Sequence, residues 1–316
     1  MRRTGIFCVI FLVICLAVVR LPFFKQEEEM ENGYRVAAVV PPDTEDFWRG
    51  VWEGIESTAE EKSIQLSKYK YESNEEESKM ISKLETAILS KVDGILLCSN
   101  QYSLQETQDL LQQAKKKGIK IVLCDCDANT ADMRDAFVGV DNAKAGELGA
   151  EKLSEITDIK KVLLIQKSQD PISSASMTRK IAFEEYLSEY SSQMEIEAIQ
   201  LAETSEEYYR GIQDTLLSNG EGNAVVCFNS VSTLLMAQTI ERLKMEDQIF
   251  LLGFCEAEQA LDYVESGVID ILLMQDNEGL GRQGMIMMQK LLSDQELETD
   301  IYHMDMSVIT KETAAR

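Results

Sequence analysis

Three residue patterns in this 316-residue chain have a spacing that could carry chemistry. Gly279-Leu-Gly-Arg-Gln-Gly284 matches the G-x-G-x-x-G fingerprint, which lays a pyrophosphate on a helix N-terminus. It follows a strand pattern and opens a helical one. Yet Asp276-Asn277-Glu278 intervene and would set carboxylates against the phosphates, and no complete strand–helix–strand unit follows. The glycines therefore read as a helix start packed closely on a sheet. Cys124-Asp125-Cys126-Asp127 puts two thiols on one face of an extended segment, but zinc needs four ligands and no second cluster accompanies them. His303 is the only histidine and lies in the terminal segment, which argues against a Ser-His-Asp or Cys-His hydrolase. With no catalytic constellation, no cofactor and no metal implied, the chain reads as a non-enzyme.

Charge narrows the partners. Asp and Glu outnumber Lys and Arg by 55 to 31, for a formal charge of −24. That field repels phosphate backbones, so nucleic acid is excluded as a partner. The N-terminus differs from the rest: Met1-Arg2-Arg3 is basic, Gly5 to Val19 is apolar, and Arg20 precedes Leu21-Pro22-Phe23-Phe24-Lys25. A positive start and a hydrophobic run make residues 1–25 a signal peptide or a signal-anchor. Counted through Phe24, the run reaches about the 20 residues a bilayer span needs. No small-x-small pair marks a cleavage site, and Ile14 before Cys15 is too large for a lipoprotein signal, which favours an uncleaved anchor with its charged end inside. Residues 26–33 form an acidic stalk. The domain beyond is expected outside the cytoplasm. Five of the seven cysteines lie in it, an odd number that does not make a disulfide framework, and four of these sit in or just after apolar strand runs.

The elements that must position a site alternate regularly. Strand patterns at 35–40, 63–69, 94–98, 120–124 and 137–140 enclose helical patterns at 46–61, 74–89 and 104–117. Lys115-Lys116-Lys117 followed by Gly118 stops the third helix, with cations at the negative end of its dipole. A second series follows: strands at 161–166, 194–200, 224–228, 249–253 and 269–275, with helices at 174–190, 206–217, 231–244, 256–266 and 279–291, then an extended run at 306–310. Such alternation builds parallel sheets covered by helices on both faces, with ligands bound beyond the carboxyl ends of the strands. The stretch Phe137 to Gly146, a strand running into Asp141-Asn142 and a small-residue helix start, is the most telling of these ends. Two similar α/β halves without a long linker predict two lobes on a hinge, with a site between them.

Phe47-Trp48 opening the first helix, Val92-Asp93-Gly94-Ile95, Ile119 to Asp125, Val138-Gly139-Val140-Asp141-Asn142, Arg179 four residues before Phe183, Phe228-Asn229, Leu252-Gly253-Phe254 and Gln275 occur in an order that resembles one family. Residues 34–316 are similar to the type I periplasmic sugar-binding proteins of the ribose- and galactose-binding group. The resemblance implies two doubly wound Rossmann-like lobes joined by a three-strand hinge. The N-terminal lobe would take 34–141 and 277–303, and the C-terminal lobe 142–276 and 304–316. It places an aromatic stacked on a sugar face at Phe47 or Trp48, an acceptor of sugar hydroxyl bonds at Asp125, a hydrogen-bonding fork at Arg179, and amide ligands at Asn229 and Gln275. Asp141 and Asn142 serve as hinge and cap residues more than as direct ligands.

The departures bear on the ligand. Cys126, Ser230 and Cys255 stand where the ribose-binding type carries an arginine and two aspartates. Losing three charged groups weakens a site built for ribose and leaves a less polar sugar, a modified sugar or another small polar molecule. Cys126, Asp141 and Cys255 remain possible contacts. The repressors that share this core begin with DNA-binding helices, for which the hydrophobic start and negative charge leave no place. The implied role is ligand capture by lobe closure and delivery to an ABC transporter permease; the alternative is a membrane-anchored co-receptor that signals to a sensor histidine kinase.

Overall fold

The computed structural model describes residues 33–71, 77–99, 104–128, 130–167, 174–191, 194–201, 205–219 and 223–314. The expected membrane segment and most of the stalk lie outside these residues. Among the described residues no helix is long and apolar enough to cross a membrane.

The strands are β1 (Arg35–Val40), β2 (Gln65–Lys70), β3 (Gly94–Ser99), β4 (Lys120–Asp125), β5 (Ala136–Val140), β6 (Lys161–Lys167), β7 (Glu195–Leu201), β8 (Asn223–Cys227), β9 (Ile249–Phe254), β10 (Ile271–Gln275), β11 (Ile301–Met304) and β12 (Met306–Ile309). The helices are α1 (Asp46–Glu61), α2 (Glu77–Leu89), α3 (Gln105–Lys116), α4 (Asn142–Ser154), α5 (Ala175–Tyr190), α6 (Ser205–Asn219), α7 (Ser230–Leu243), α8 (Gln259–Ser266), α9 (Asn277–Leu292) and the single turn α10 (Lys311–Ala314). They form two six-stranded sheets in matching orders, β2-β1-β3-β4-β5-β11 and β7-β6-β8-β9-β10-β12. Every pairing is parallel except that of β10 with β12. The expected alternation is therefore present in both halves. Strand β11 is an addition that the sequence pattern did not reveal.

Parallel strands buried on both faces read as apolar runs, and β1 shows why. Val36, Ala38 and Val40 pack with Trp52, Ile55, Met285 and Met288, while Ala37 and Val39 face Met80, Leu84 and Leu111 on the other side of the sheet. The second lobe repeats the arrangement. Val225, Cys227 and Leu251 pack under α6, α7 and α8, and Val226, Leu252 and Phe254 pack against α4 and α5. An aspartate placed just before a strand fixes register at three points. Asp93, Asp135 and Asp270 each accept a backbone N–H at the start of a neighbouring strand, from Arg35, Ile121 and Leu251, all at 2.8 Å.

The chain passes between the sheets three times, through Asp141, Asp276 and Asp305. The first two passages are near copies. Asp141 (φ −73°, ψ 93°) caps α4 by accepting from Lys144 N, and Asp276 (φ −82°, ψ 96°) caps α9 by accepting from Gly279 N. An Asp at the N-cap satisfies a helix donor that would otherwise be orphaned. Each helix then packs into the lobe opposite the strand it leaves: α4 in the second, α9 in the first.

The glycines of the 279–284 motif serve this packing. A Cβ on Gly281 would lie 2.1 Å from the Val51 carbonyl oxygen, and one on Gly284 would lie 2.7 Å from Cys124 Sγ. Gly54 on α1 answers with equal closeness to the Glu278 carbonyl, at 2.0 Å. Helices α1 and α9 thus meet backbone to backbone. We predict that Gly281→Val lowers unfolding stability by about 1–3 kcal/mol, the usual cost of overpacking. Urea denaturation measures it, and an unchanged midpoint would show that the α1–α9 approach is not tight.

Candidate ligand site between the lobes

Two cavities open between the lobes. One, of about 570 Å³, is lined by Asp125, Cys126 and Phe137 of the first lobe, Asp141 and Asn142 of the first crossing, and Ser174 and Thr178 of the second lobe. The other, of about 380 Å³, is lined by Asp46, Arg49, Glu256, Gln275 and Asn277, around the second crossing. Arg179 stands between them. Its Nε donates to Asn142 Oδ1 at 2.8 Å, on the side of the first cavity. Its Nη1 reaches the Phe228 carbonyl at 3.4 Å and lies 3.6 Å from Glu256 Oε1, on the side of the second.

The local sequence explains why a guanidinium can occupy this place. Gly146 lets α4 lie directly on α5, since a Cβ there would come 2.2 Å from the Arg179 carbonyl oxygen. Ser174 caps α5 by accepting from Met177 N. Phe183 meets Phe228 edge to face and Phe228 stacks on Phe254, with ring centroids 5.5 and 5.7 Å apart, and the Arg179 guanidinium lies over the Phe254 ring at 5.2 Å. The Arg179 side chain is 7% exposed, and a charge this buried needs partners. Glu184, on the same helix, pairs with Lys180.

Glu256 lines the second cavity beside Arg179, a position that the sequence pattern did not single out. Its segment was expected to be helical from residue 256, but α8 begins at Gln259. The preceding residues form a loop because Glu256 is tied across it. Ser230 Oγ donates to its carboxylate and accepts its backbone N–H at 3.2 Å. The charge absent at Cys255 thus returns one residue later. The available signal was that acidic neighbour itself, next to a Gly-Phe-Cys strand end.

Asp125 ends β4 with φ +74°, and the Cys126 N–H bonds back to the Cys124 carbonyl at 3.0 Å, which places Asp125 at the apex of a three-residue turn. A non-glycine residue at positive φ is strained unless its surroundings hold it. Gly139 is part of that hold, because a Cβ there would lie 3.0 Å from the Asp125 carbonyl. The Asp125 carboxylate makes no hydrogen bond to another described residue. Burial raises its pKa to about 7, the Glu256 charge adds to the rise, and Arg179 opposes it.

The remaining expected positions fall as follows. Phe47 and Trp48 meet edge to face at 4.5 Å, with Trp48 in the first-lobe core at 5% exposure and Phe47 partly exposed at the start of α1. Asn229 caps α7, its Oδ1 accepting from Ser232 N at 2.9 Å, which leaves its Nδ2 as the group it can offer. Gln275 is buried at the end of β10. Asp141 is a cap, with Lys144 Nζ 3.5 Å from its carboxylate. Cys126 is half-buried with its thiol pushed up to about 12 by burial, and Cys255 lies in the second-lobe core with its thiol raised to about 11. Asp127 is bound in a fork by Arg134, at 2.6 and 2.8 Å, which ties down the loop below the first cavity.

An acid whose pKa is raised by folding binds its proton more tightly in the folded state. Stability is then lost as pH rises from about 4, where the unfolded carboxyl titrates, to about 7. Asp125→Asn removes that loss. The variant should exceed the parent by roughly 1–3 kcal/mol at pH 8, after allowance for partial exposure, and match it at pH 4. Thermal unfolding at both pH values measures the difference; an equal difference at each would remove Asp125 from the buried cleft.

The profile of the periplasmic binding protein domain family matches residues 36–296. A search of curated protein sequences finds no match. Solved structures share the fold. An ABC transporter periplasmic solute binding protein from Actinobacillus succinogenes 130z, with bound D-allose, is 22% identical with a TM-score of 0.77, over 89% of this chain and 98% of that one. A sugar transporter from Clostridium phytofermentans is 24% identical with a TM-score of 0.70, over 89% and 100%. The XylFII–LytSN complex contains a chain 18% identical with a TM-score of 0.73, over 89% and 99%. With the matching sheet orders, the three crossings and the cleft they enclose, the chain belongs to the periplasmic binding protein domain family and has its type I two-lobed fold.

Proposed function

We propose that this protein captures a sugar or sugar-like small molecule outside the cytoplasm by closing its two lobes about the three crossings. The observation that carries the reading is the convergence on one cleft of Asp125 from the first lobe, Asn142 from a crossing, and Arg179 and Glu256 from the second lobe. A ligand that touches both lobes only when they are closed favours that state by its differential affinity. Asp125 accepts from ligand hydroxyls, Arg179 donates its fork, Asn229 and Gln275 supply amides, and Phe47, the more exposed of the aromatic pair, packs on the apolar face of the ring. Residues 34–141 with 277–303 act as one jaw and 142–276 with 304–316 as the other.

The closed form is then read by a membrane partner, and delivery to an ABC transporter permease is the first reading. The second is a co-receptor for a sensor histidine kinase. The fold shared with the chain in the XylFII–LytSN complex supports keeping it, and an uncleaved anchor at residues 1–25 suits a partner of fixed stoichiometry.

A thermal-shift panel of pentoses, hexoses and their derivatives on the full-length chain tests capture. Ligand at a hundred times its dissociation constant should stabilise the protein by about 2.7 kcal/mol. No shift across the panel would overturn the sugar reading. Arg179→Lys keeps a charge but loses the guanidinium fork, so affinity for any hit should fall tenfold or more. Unchanged affinity would take Arg179 out of the site.

A further inference from the structure

We infer that the molecule held in this cleft carries a protonated amine on its sugar-like body, with the ammonium seated between Asp125 of the first lobe and Glu256 of the second. The inference rests on the interlobe cleft being the ligand site and adds the charge class of what fills it.

The argument is one of charge balance across the gap. Two carboxylates flank Arg179 on opposite lobes, Asp125 at the end of β4 lining the first cavity and Glu256 in the loop after β9 lining the second. One guanidinium serves both, and its bonds are committed within its own lobe and the crossing: Asn142, the Phe228 carbonyl, Glu256 and the Phe254 ring. Other charges near the cleft are partly paired, while Glu53, Glu258 and Asp276 around the second cavity have no ion pair among the described residues. Asp46 meets Arg49 at 2.8 Å, and Asp127 is forked by Arg134. Cys126 and Cys255, beside the two acids, are neutral thiols. The gap is therefore left with negative charge in excess, and Asp125 has no hydrogen-bonding partner of its own among the described residues.

Closing the lobes brings Asp125 toward Glu256 in a medium of falling dielectric, where like charges repel more strongly. A neutral guest leaves that repulsion in place. An ammonium placed between the two acids converts it to attraction, and does so only in the closed state, which is the condition for a ligand to drive closure. The formal charge of −24 also draws cations toward the protein. An organic cation fits better than a bare one, because a hard metal ion needs six or so oxygen ligands, and no group of three or more His, Cys, Asp or Glu converges among the described residues. At about 570 Å³ the larger cavity has room for the body that carries the amine.

Isothermal titration of the full-length protein in mild detergent at pH 7 tests this. The titrants are D-glucose, D-galactose and D-mannose, their 2-amino-2-deoxy forms, the N-acetylated forms of those, N-methylglucamine and calcium chloride. At least one amine should bind tenfold or more tighter than its neutral parent. N-acetylation should abolish the advantage, and added salt should shrink it. Glu256→Gln and Asp125→Asn should each bring the amine's affinity to within threefold of the parent sugar's, with thermal unfolding confirming that the variants fold. Neutral sugars binding as tightly as their amines would overturn the amine assignment and leave sugar capture standing. Binding by none of the organic titrants would overturn both, and calcium binding alone would make this a metal site.

Discussion

The structure turns on one buried guanidinium. A charge that is 7% exposed survives only with partners that repay its lost hydration, and Arg179 collects them from separated parts of the chain: an amide at the first crossing, a carbonyl at the end of β8, a carboxylate after β9 and an aromatic ring in the lobe core. Removing the guanidinium would take from all four the one group they share. The arrangement therefore couples the position of α5, the conformation of the loop at Glu256 and the geometry of the crossing at Asn142. It also stands between the two cavities, bonded to Asn142 of the first and close to Glu256 of the second.

The hinge is built as economically. Two of the three crossings use the same device, an extended aspartate that caps the helix it introduces, with nearly the same backbone angles. The matching sheet orders of the lobes extend this near-symmetry to the whole molecule. Single-residue joints between rigid sheets leave few dihedrals to absorb motion, which confines any relative movement of the lobes to Asp141, Asp276 and Asp305. The strain at Asp125 belongs to the same logic. A carboxylate in a left-handed turn, with no hydrogen-bonding partner among the described residues, is a cost the fold carries at its cleft rather than in its core.

Much of the fold was legible because its signals are local. Apolar runs such as Val36–Val40 and Gly94–Cys98 mark strands buried on both faces, and the Lys115–Gly118 stop or the Asp141 cap marks a helix end by residue type alone. Strand β11 was not legible, since Ile301–Met304 is four residues long with two exposed side chains, and its place is set by pairing with β5, more than 160 residues away. The full length of α4 was likewise hidden by its small residues, whose value is closeness to α5. In the site, Arg179 could be found from its spacing to Phe183. Glu256 was visible only as an acidic neighbour of Cys255, because its placement is a tertiary fact: Ser230 and Arg179, brought in from other elements, hold that carboxylate at the cleft.

The central claim is mechanical, that the lobes move together upon a guest. A fluorophore pair at Leu104 and Val231, exposed positions at the cleft-facing ends of α3 and α7, would follow the distance between the lobes directly. A ligand shown by calorimetry to bind should raise energy transfer to a saturating plateau, at the same concentration that saturates the heat. Transfer that stays constant through that titration would contradict closure and leave two lobes of fixed separation.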